Sequence, residues 1–118
     1  MISFDQQQVY LYSHPIDMRK SINGLSYLMS DLPNYSLKDG SLTLFYNRCR
    51  DKVKLLYWDK NGYVLIYKRL EKGRFKITKK DEETGVVTLD NKQLSWLLAG
   101  LDYDLMAQNK TLDFSGFY

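Results

Sequence analysis

The sequence predicts an α+β domain in which an antiparallel β-meander of four to five strands carries two helices packed on one face. Two observations predict this class. Four runs of β-prone residues follow one another between residues 41 and 78, separated by turn residues. On each side of these runs, a segment repeats apolar residues at helical spacing. The 118 residues, 44% of them hydrophobic, suit a single domain, with a core over about residues 9–103 and a C-terminal tail, 104–118, that the sequence does not assign.

The first predicted elements are a short strand and a helix. The segment from Val9 to Tyr12 is β-prone and stops before Pro15, which makes it the possible fifth strand. Asp17 is the predicted N-cap of a helix over about Met18 to Leu32. The apolar stripe of this helix consists of Met18, Ile22, Leu25, Met29 and Leu32. Pro33 ends it, because proline keeps the preceding residue out of the helical region.

The middle of the chain supplies the meander. Its four predicted strands are Leu42 to Tyr46, Val53 to Trp58, Tyr63 to Arg69 and Arg74 to Ile77. Asn61 and Gly62 form a strong hairpin signal between the two central strands, since both residues tolerate positive φ. We therefore expect antiparallel neighbours. Because both sides of these strands carry apolar residues, we expect one face against the helices and a mixed aromatic and basic face open to a partner.

The last predicted elements are a loop and a second helix. The charged segment from Lys79 to Gly85 is predicted to be an exposed loop. Asp90 and Gln93 fit a capping box at the start of the helix, and Leu89 with Leu94 fits a hydrophobic staple. The apolar stripe of this helix consists of Leu94, Leu97, Leu98 and Leu101.

Charge is distributed very unevenly along the chain. The 33 residues from Arg48 to Lys80 hold twelve of the 17 Lys and Arg residues but only three acids, giving a formal charge of +9. The remaining residues carry −6, which leaves the total of +3. A strongly cationic sheet on an acidic body is typical of a protein that binds a polyanion, most simply nucleic acid.

The predicted nucleic-acid contacts come from this basic block and from the first helix. Arg48, Arg50, Lys52 and Lys54 alternate, so a regular strand would direct all four to one side. The other candidates are Lys68, Arg69, Arg74, Lys76, Arg19 and Lys20. The interleaved aromatic residues are Tyr57, Trp58, Tyr63, Tyr67 and Phe75. If exposed they would stack on unpaired bases, although core packing is the favoured interpretation for most of them.

Several classes of function find no support in the sequence. A single cysteine, Cys49, and a single histidine, His14, supply neither an internal disulfide nor a Cys/His metal cluster, so no metal or cofactor is predicted. Asp17, Asp51, Asp59 and Glu71 each fit a cap or a turn rather than a two-metal nuclease. No enzymatic activity is predicted. Without a bilayer-length apolar stretch or a secretion signal, we expect a soluble cytoplasmic protein with no membrane partner.

Several blocks of residues resemble the TnpB accessory proteins of the insertion-sequence-66 family of bacterial transposons. They are Pro15, Asp17–Lys20, Gly24, Leu25, Asn47, Arg48, Asp51, Lys54, Leu56, Trp58, Asp59, Gly62, Lys68–Glu71, Gly73–Phe75, and then Leu94, Leu97, Leu98 and Gly100–Asp102. The resemblance covers about Val9 to Asp102. Ser21 and Asn23 depart from the family pattern, in which glycine and aspartate are expected. The resemblance implies a role in transposition beside a separate DDE-type transposase, without strand-cutting chemistry of its own.

Three functional hypotheses follow from the charge pattern and this resemblance. The first is a transposition accessory factor that binds DNA, at the transposon ends, through the basic hairpins and helps the transposase assemble there. The second is a protein adaptor that grips the transposase or another transposon-encoded protein without touching DNA. The third is RNA binding, because basic and aromatic strands also suit single-stranded RNA.

Overall fold

Five strands and two helices make up the described part of the chain. The computed structural model describes residues 7–32, 40–78, 81, 83–102 and 105–106. The elements are β1 (Val9–Tyr12), α1 (Ile22–Ser30), β2 (Leu42–Tyr46), β3 (Lys52–Asp59), β4 (Gly62–Arg69), β5 (Val86–Leu89) and α2 (Asn91–Leu98). No helix in these ranges is long and apolar enough to cross a lipid bilayer.

The strands form one sheet in the order β4-β3-β2-β1-β5. The β2–β3, β3–β4 and β1–β5 pairs are antiparallel, whereas β1 and β2 run parallel. The α+β class and the meander-like order are therefore confirmed, but antiparallel pairing of all neighbours is wrong at β1–β2. The connection between β1 and β2 explains the difference. It runs through α1 and returns the chain to the end of the sheet where β1 begins, so β2 runs in the same direction as β1.

The predicted strand from Val9 to Tyr12 is present as β1, but the predicted strand from Arg74 to Ile77 is not a strand. The last strand of the sheet is instead Val86–Leu89, which was not predicted. In the segment 74–77, Phe75 and Ile77 are buried while Arg74 and Lys76 are exposed. The alternation that suggested a strand therefore reflects an extended segment with one buried side, and burial of one side does not require a hydrogen-bonded ladder. A run of β-branched residues marks the true strand, in which Val86 pairs with Tyr12.

The two helices pack on opposite faces of the sheet, not on one face as predicted. Leu25 of α1 shares a buried cluster with Phe45, whereas Leu94 of α2 shares the other cluster with Leu44. Leu44 and Phe45 are neighbours in β2, so their side chains point to opposite faces. All five residues of β2 are buried. A strand that is apolar on both sides needs a cover on each, and the two helices supply one each.

The turn of the central hairpin and the N-terminus of the second helix lie where the sequence predicts them. Asp59 pairs with Gly62 across the turn between β3 and β4, although the positive φ, 53°, falls on Lys60. At α2 the Gln93 N–H donates to Asp90 Oδ1 (2.7 Å), and the Asp90 N–H donates to Gln93 Oε1 (2.9 Å). The predicted capping box is therefore confirmed. Of the predicted stripe of α2, Leu101 is the exposed member.

The first helix starts later than predicted. Its N-cap is Ser21, and Asp17 lies in the preceding loop, where its carboxylate accepts the Arg19 N–H (2.9 Å). Asp17 therefore caps a local turn that ends before the helix begins. The predicted helix stop at Pro33 and most of the tail from 104 to 118 lie outside the described residues. Within the predicted loop 79–85, the described Asp81 accepts the Thr84 N–H (3.1 Å) and closes a turn into β5.

Candidate nucleic-acid interface

Chain topology brings most of the predicted contacts to one end of the sheet. β1 and β2 finish there, β3 begins there, and Lys52 of β3 pairs with Arg69 at the finish of β4. The chain segments at this end are residues 13–20, 47–52 and 69–77, which we call the basic end. It contains eight of the ten predicted nucleic-acid contacts, Arg19, Lys20, Arg48, Arg50, Lys52, Arg69, Arg74 and Lys76. Lys54 and Lys68 lie further along the strands.

The turn between β2 and β3 has a defined shape set by Asn47. The Asn47 side-chain amide donates to Asp51 Oδ1 (2.7 Å), and its oxygen accepts the Lys52 N–H (3.1 Å). The Arg50 N–H donates to the Asn47 carbonyl (3.0 Å), and Arg50 adopts a φ of 60°. These bonds hold the turn while the Arg48 and Arg50 side chains remain exposed. The turn therefore presents two arginines from an ordered backbone.

The segment that follows β4 lies against this turn. The Leu70 N–H donates to the Asp51 carbonyl (2.8 Å), and the Phe75 N–H donates to the Arg50 carbonyl (2.6 Å). Phe75 is 1% exposed and anchors the segment in the core cluster of the α2 face. The exposed neighbours of Phe75, Arg74 and Lys76, are consequently brought beside the turn.

Four of these cations have no partner within the part of the chain that the structure describes. No hydrogen bond or ion pair there joins their side chains to another residue. They are Arg48, Arg50, Arg74 and Lys76, which we call the free cations. Unpaired cations near one another raise the local positive potential, which attracts polyanions. Lys72, at the same end, is also exposed and forms no ion pair with a described residue. Its position in the basic block of the sequence was the signal that could have identified it.

Three predicted contacts at the basic end are paired with acids. Arg19 contacts Asp17 (Nη2 to Oδ2, 2.6 Å), Lys52 contacts Asp51 (3.3 Å) and Arg69 contacts Glu71 (3.1 Å). These are exposed or half-exposed pairs of small energetic value, so each cation retains access to a competing phosphate. Lys20 is exposed, and its charge contributes to lowering the pKa of Asp17.

Two carboxylates of the basic end, those of Asp17 and Asp51, have pKa values lowered by their neighbours. The Arg19 side chain hydrogen-bonds to Asp17 and lowers the pKa of that carboxyl from 3.8 to about 2. The Asn47 amide, helped by Lys52, lowers the pKa of Asp51. Both acids therefore stay negative at neutral pH and offset part of the charge of the basic end.

Lys54 and Lys68 both donate to backbone carbonyls, but Lys54 is buried whereas Lys68 is exposed. Lys54 is 8% exposed, and its Nζ donates to the Met18 and Lys20 carbonyls, both at 2.7 Å. Lys68 Nζ donates to the Leu98 carbonyl (2.6 Å), at the end of α2. The regular alternation expected from Arg48 to Lys54 is therefore wrong, because Arg48 and Arg50 lie in the turn and Lys54 points onto the α1 face.

Arg48 lines two clefts that described residues form at the basic end. The larger, of about 410 Å³, is also lined by Asn47 and Lys52. The smaller, of about 240 Å³, is also lined by Arg50 and Ile77. A phosphate group entering either cleft would meet the Arg48 guanidinium, whose flat donor array suits phosphate oxygens.

The aromatic residues are mostly unavailable for base stacking, as their core interpretation predicted. Phe75 and Tyr57 are buried, and burial raises the pKa of Tyr57. Trp58 and Tyr63 contact each other edge-on, with ring centroids 4.9 Å apart, at the far end of the sheet. Tyr67 is 53% exposed. Among the described residues, no group of three or more His, Cys, Asp or Glu side chains could hold a metal ion.

Fold and site define a small α+β protein whose sheet ends in a concentrated basic surface. The chain belongs to the family described as IS66 Orf2 like protein, whose model matches residues 7–108. That family is one of transposition accessory proteins that are generally non-catalytic, and its context points to interaction with other transposon-encoded proteins. The family resemblance inferred from the sequence is confirmed.

Two curated relatives come from Sinorhizobium fredii (strain NBRC 101917 / NGR234). Uncharacterized protein y4hO is 30% identical over 96 residues, which cover 81% of this chain and 82% of the relative. Uncharacterized protein y4jC is 28% identical over 96 residues, covering 81% of this chain and 80% of the relative. No solved structure matches the chain.

Proposed function

We propose that this protein is a non-catalytic accessory factor that binds DNA phosphates through the basic end and helps a separate DDE-type transposase assemble on the transposon ends. The observation that carries the proposal is the convergence of the free cations on a scaffold held by the Phe75–Arg50 backbone hydrogen bond. Unpaired cations carried by a hydrogen-bonded backbone bind a polyanion without first breaking internal ion pairs. Membership in a family of transposition accessory proteins supplies the context.

The chemistry of the site favours phosphate contact over base reading. Arg48 and Arg50 project from a turn, and Arg74 and Lys76 from an extended segment, so no described helix presents these side chains to a groove. Phosphate contacts fix position and contribute affinity but carry no sequence information. We therefore expect little discrimination between DNA sequences by this protein alone, with the choice of transposon ends made together with the transposase.

A pair of matched substitutions tests the DNA contact. Arg50 and Lys60 both occupy hairpin turns with positive φ, 60° and 53°, but at opposite ends of the sheet. Arg50→Gly and Lys60→Gly each remove one cation, and glycine accepts both backbone conformations. In a salt titration with duplex DNA, Arg50→Gly should weaken binding and reduce the slope of log K against log salt by about 0.9. Lys60→Gly should bind like the unmodified protein.

A double charge reversal tests whether binding is lost through the change of charge or through misfolding. Arg48→Glu combined with Arg74→Glu should abolish detectable binding at moderate salt, while the circular dichroism spectrum and the denaturation midpoint stay close to those of the unmodified protein. Single-stranded DNA and RNA of the same length are run in parallel to identify the preferred polyanion. An unmodified protein that binds none of the three at low salt would refute the proposal.

The second candidate is an adaptor that docks the transposase without contacting DNA. The pairing of Arg19, Lys52 and Arg69 with acids favours it, because these pairs reduce the charge offered to a polyanion. A protein partner with its own acidic patch would meet the same surface. Co-purification with the transposase, measured for the Arg48→Glu/Arg74→Glu variant, distinguishes the two. Loss of the transposase from that variant, together with an unmodified protein that retains the transposase but does not bind DNA, identifies the adaptor.

A further inference from the structure

Among the described residues, the outer strand β4 lacks the protection that sheet edges usually carry. It is eight residues long, whereas β5 at the opposite edge has only four. Within the described ranges, no backbone or side-chain group outside the β3 ladder hydrogen-bonds to residues 63–67. Those five residues contain no charge and no proline, which are the usual guards of an exposed edge. Unpaired N–H and C=O groups on such an edge are a template for another strand.

The sequence of β4 is close to symmetric about its centre. Reading from either end of Tyr63-Val64-Leu65-Ile66-Tyr67 gives an aromatic residue, a β-branched residue and then leucine. We propose that β4 pairs antiparallel with β4 of a second copy of this chain, about a two-fold axis at Leu65. Tyr67 of one copy then lies opposite Tyr63 of the other, and Val64 opposite Ile66. Aromatic and β-branched pairs are the combinations that stabilise neighbouring strands.

Charge selects the antiparallel orientation. Lys68 and Arg69 follow the apolar run, and the Asp59 turn precedes it. In the antiparallel register Lys68 of one copy lies opposite Gly62 of the other and Arg69 lies opposite Asn61, so these cations meet uncharged residues. A parallel register would place Lys68 beside Lys68 and Arg69 beside Arg69, which repel. The dimer would also cover Tyr67, which is exposed on the α1 face of the single chain.

The expected dimer is reversible. Pairing one strand over a few residues covers much less than the roughly 1,600 Å² of a standard stable interface. The dimer should therefore form at high protein concentration and dissociate on dilution. Sedimentation should show a concentration-dependent shift from 13.9 kDa towards twice that mass.

A cysteine crosslink tests the register. In a Cys49→Ser background, Leu65→Cys places one thiol on the proposed two-fold axis, where antiparallel neighbours have Cα atoms about 4.5–5.5 Å apart, within disulfide range. Mild oxidation should give a covalent dimer. Thr88→Cys, exposed on the β5 edge, is the matched control and should stay monomeric. If Leu65→Cys fails to fold, a mixture of Tyr63→Cys and Tyr67→Cys chains replaces it and should give the mixed disulfide.

A surface substitution tests the interface without engineered thiols. Tyr67→Lys should raise the dissociation constant of the dimer about tenfold, since each dimer loses two aromatic pairs. Tyr27→Lys alters a tyrosine that is 70% exposed on α1 and should change nothing. A protein that remains monomeric at its highest soluble concentration would overturn the proposal, as would a dimer indifferent to Tyr67→Lys or crosslinked equally through Thr88→Cys. Arg50→Gly should leave dimerisation intact, which separates this inference from DNA binding.

Discussion

Cations on the strands and cations beyond the strand ends have different roles in this molecule. Lys54 and Lys68, both on strands, donate to backbone carbonyls of neighbouring segments. The free cations lie in a turn and in an extended segment and contact no acid in the described ranges. All of them belong to one basic block of the sequence, yet the first group holds the fold together while the second is available to a ligand.

The difference follows from what each side chain can reach. Lys54 and Lys68 reach the loop before α1 and the end of α2, where backbone carbonyls lack intrahelical partners. A cation beyond the strand end points away from the sheet into solvent. The number of cations in a stretch of sequence therefore exceeds the number that a ligand can contact. Whether a cation remains free depends on whether a strand, a turn or an extended segment carries it.

The largest expected effect comes from the anchor of the free cations. Phe75 is buried beside Arg74 and Lys76, so Phe75→Ala should destabilise the protein by about 3–5 kcal/mol. Lys76→Ala removes an exposed neighbour and should change stability by less than about 0.5 kcal/mol. Urea denaturation measures both. A large cost for Lys76→Ala would show that this cation supports the fold and is not free.

The next effect concerns the anchored cation of β3. Lys54→Met retains the apolar stem but leaves the Met18 and Lys20 carbonyls without their donor, which should cost about 3 kcal/mol. Lys52→Met changes a lysine on the same face of the same strand, where only an exposed ion pair is lost. Its cost should stay below about 1 kcal/mol. Equal costs in chemical denaturation would remove the distinction between the two positions.

A smaller effect is expected at the two ends of α2. Lys68 donates to the Leu98 carbonyl at the C-terminal end, where a positive charge favours the helix dipole. Lys68→Met should therefore destabilise the protein by about 0.3–1 kcal/mol. Lys92, in the first turn, opposes the dipole, so Lys92→Met should be neutral or slightly stabilising. Thermal denaturation of the two variants, measured side by side, tests this expectation. A stabilised Lys68→Met protein together with a destabilised Lys92→Met protein would contradict it.

The smallest effect belongs to the exposed pair of Asp17 and Arg19. The pKa of Asp17 is about 2 in the folded protein, against an ordinary value of 3.8. The pair therefore contributes its stability fully above about pH 4, and the contribution declines as the pH falls from 3.8 through about 2. A carboxyl chemical-shift titration should give a midpoint of about 2, moving towards 3.8 in Arg19→Ala. An unchanged midpoint in that variant would remove Arg19 as the cause.

Features encoded by neighbouring residues could be predicted from the sequence, and features set by distant pairing could not. The Asp90 capping box and the β3–β4 hairpin each depend on residues within four positions of one another. The parallel pairing of β1 with β2 depends on how a helix returns the chain, which local periodicity does not report. The long connection between those strands was compatible with a crossover.

The candidate site shows the same division. The basic block of the sequence singled out Arg48 and Arg50 as candidates, and the structure places both in an exposed turn. Lys54 could not be separated from them, since its role depends on carbonyls more than thirty residues away in sequence. Phe75 was recognised as a candidate core residue by its type, but the backbone hydrogen bond that brings its neighbours to Arg50 required the tertiary structure.

The position of β1 has a consequence for the order of folding. β1 lies between β2 and β5, and Val9 pairs with Leu89, eighty residues further along the chain. The β2–β3–β4 part contains closer contacts and can form first, whereas β1 remains an open edge until β5 has been synthesised. Amide exchange on a chain stopped at Gly85 should find the β3–β4 hairpin more protected than β1. A ribosome therefore synthesises the strand that covers the open edge of β1 only about eighty residues after β1 itself.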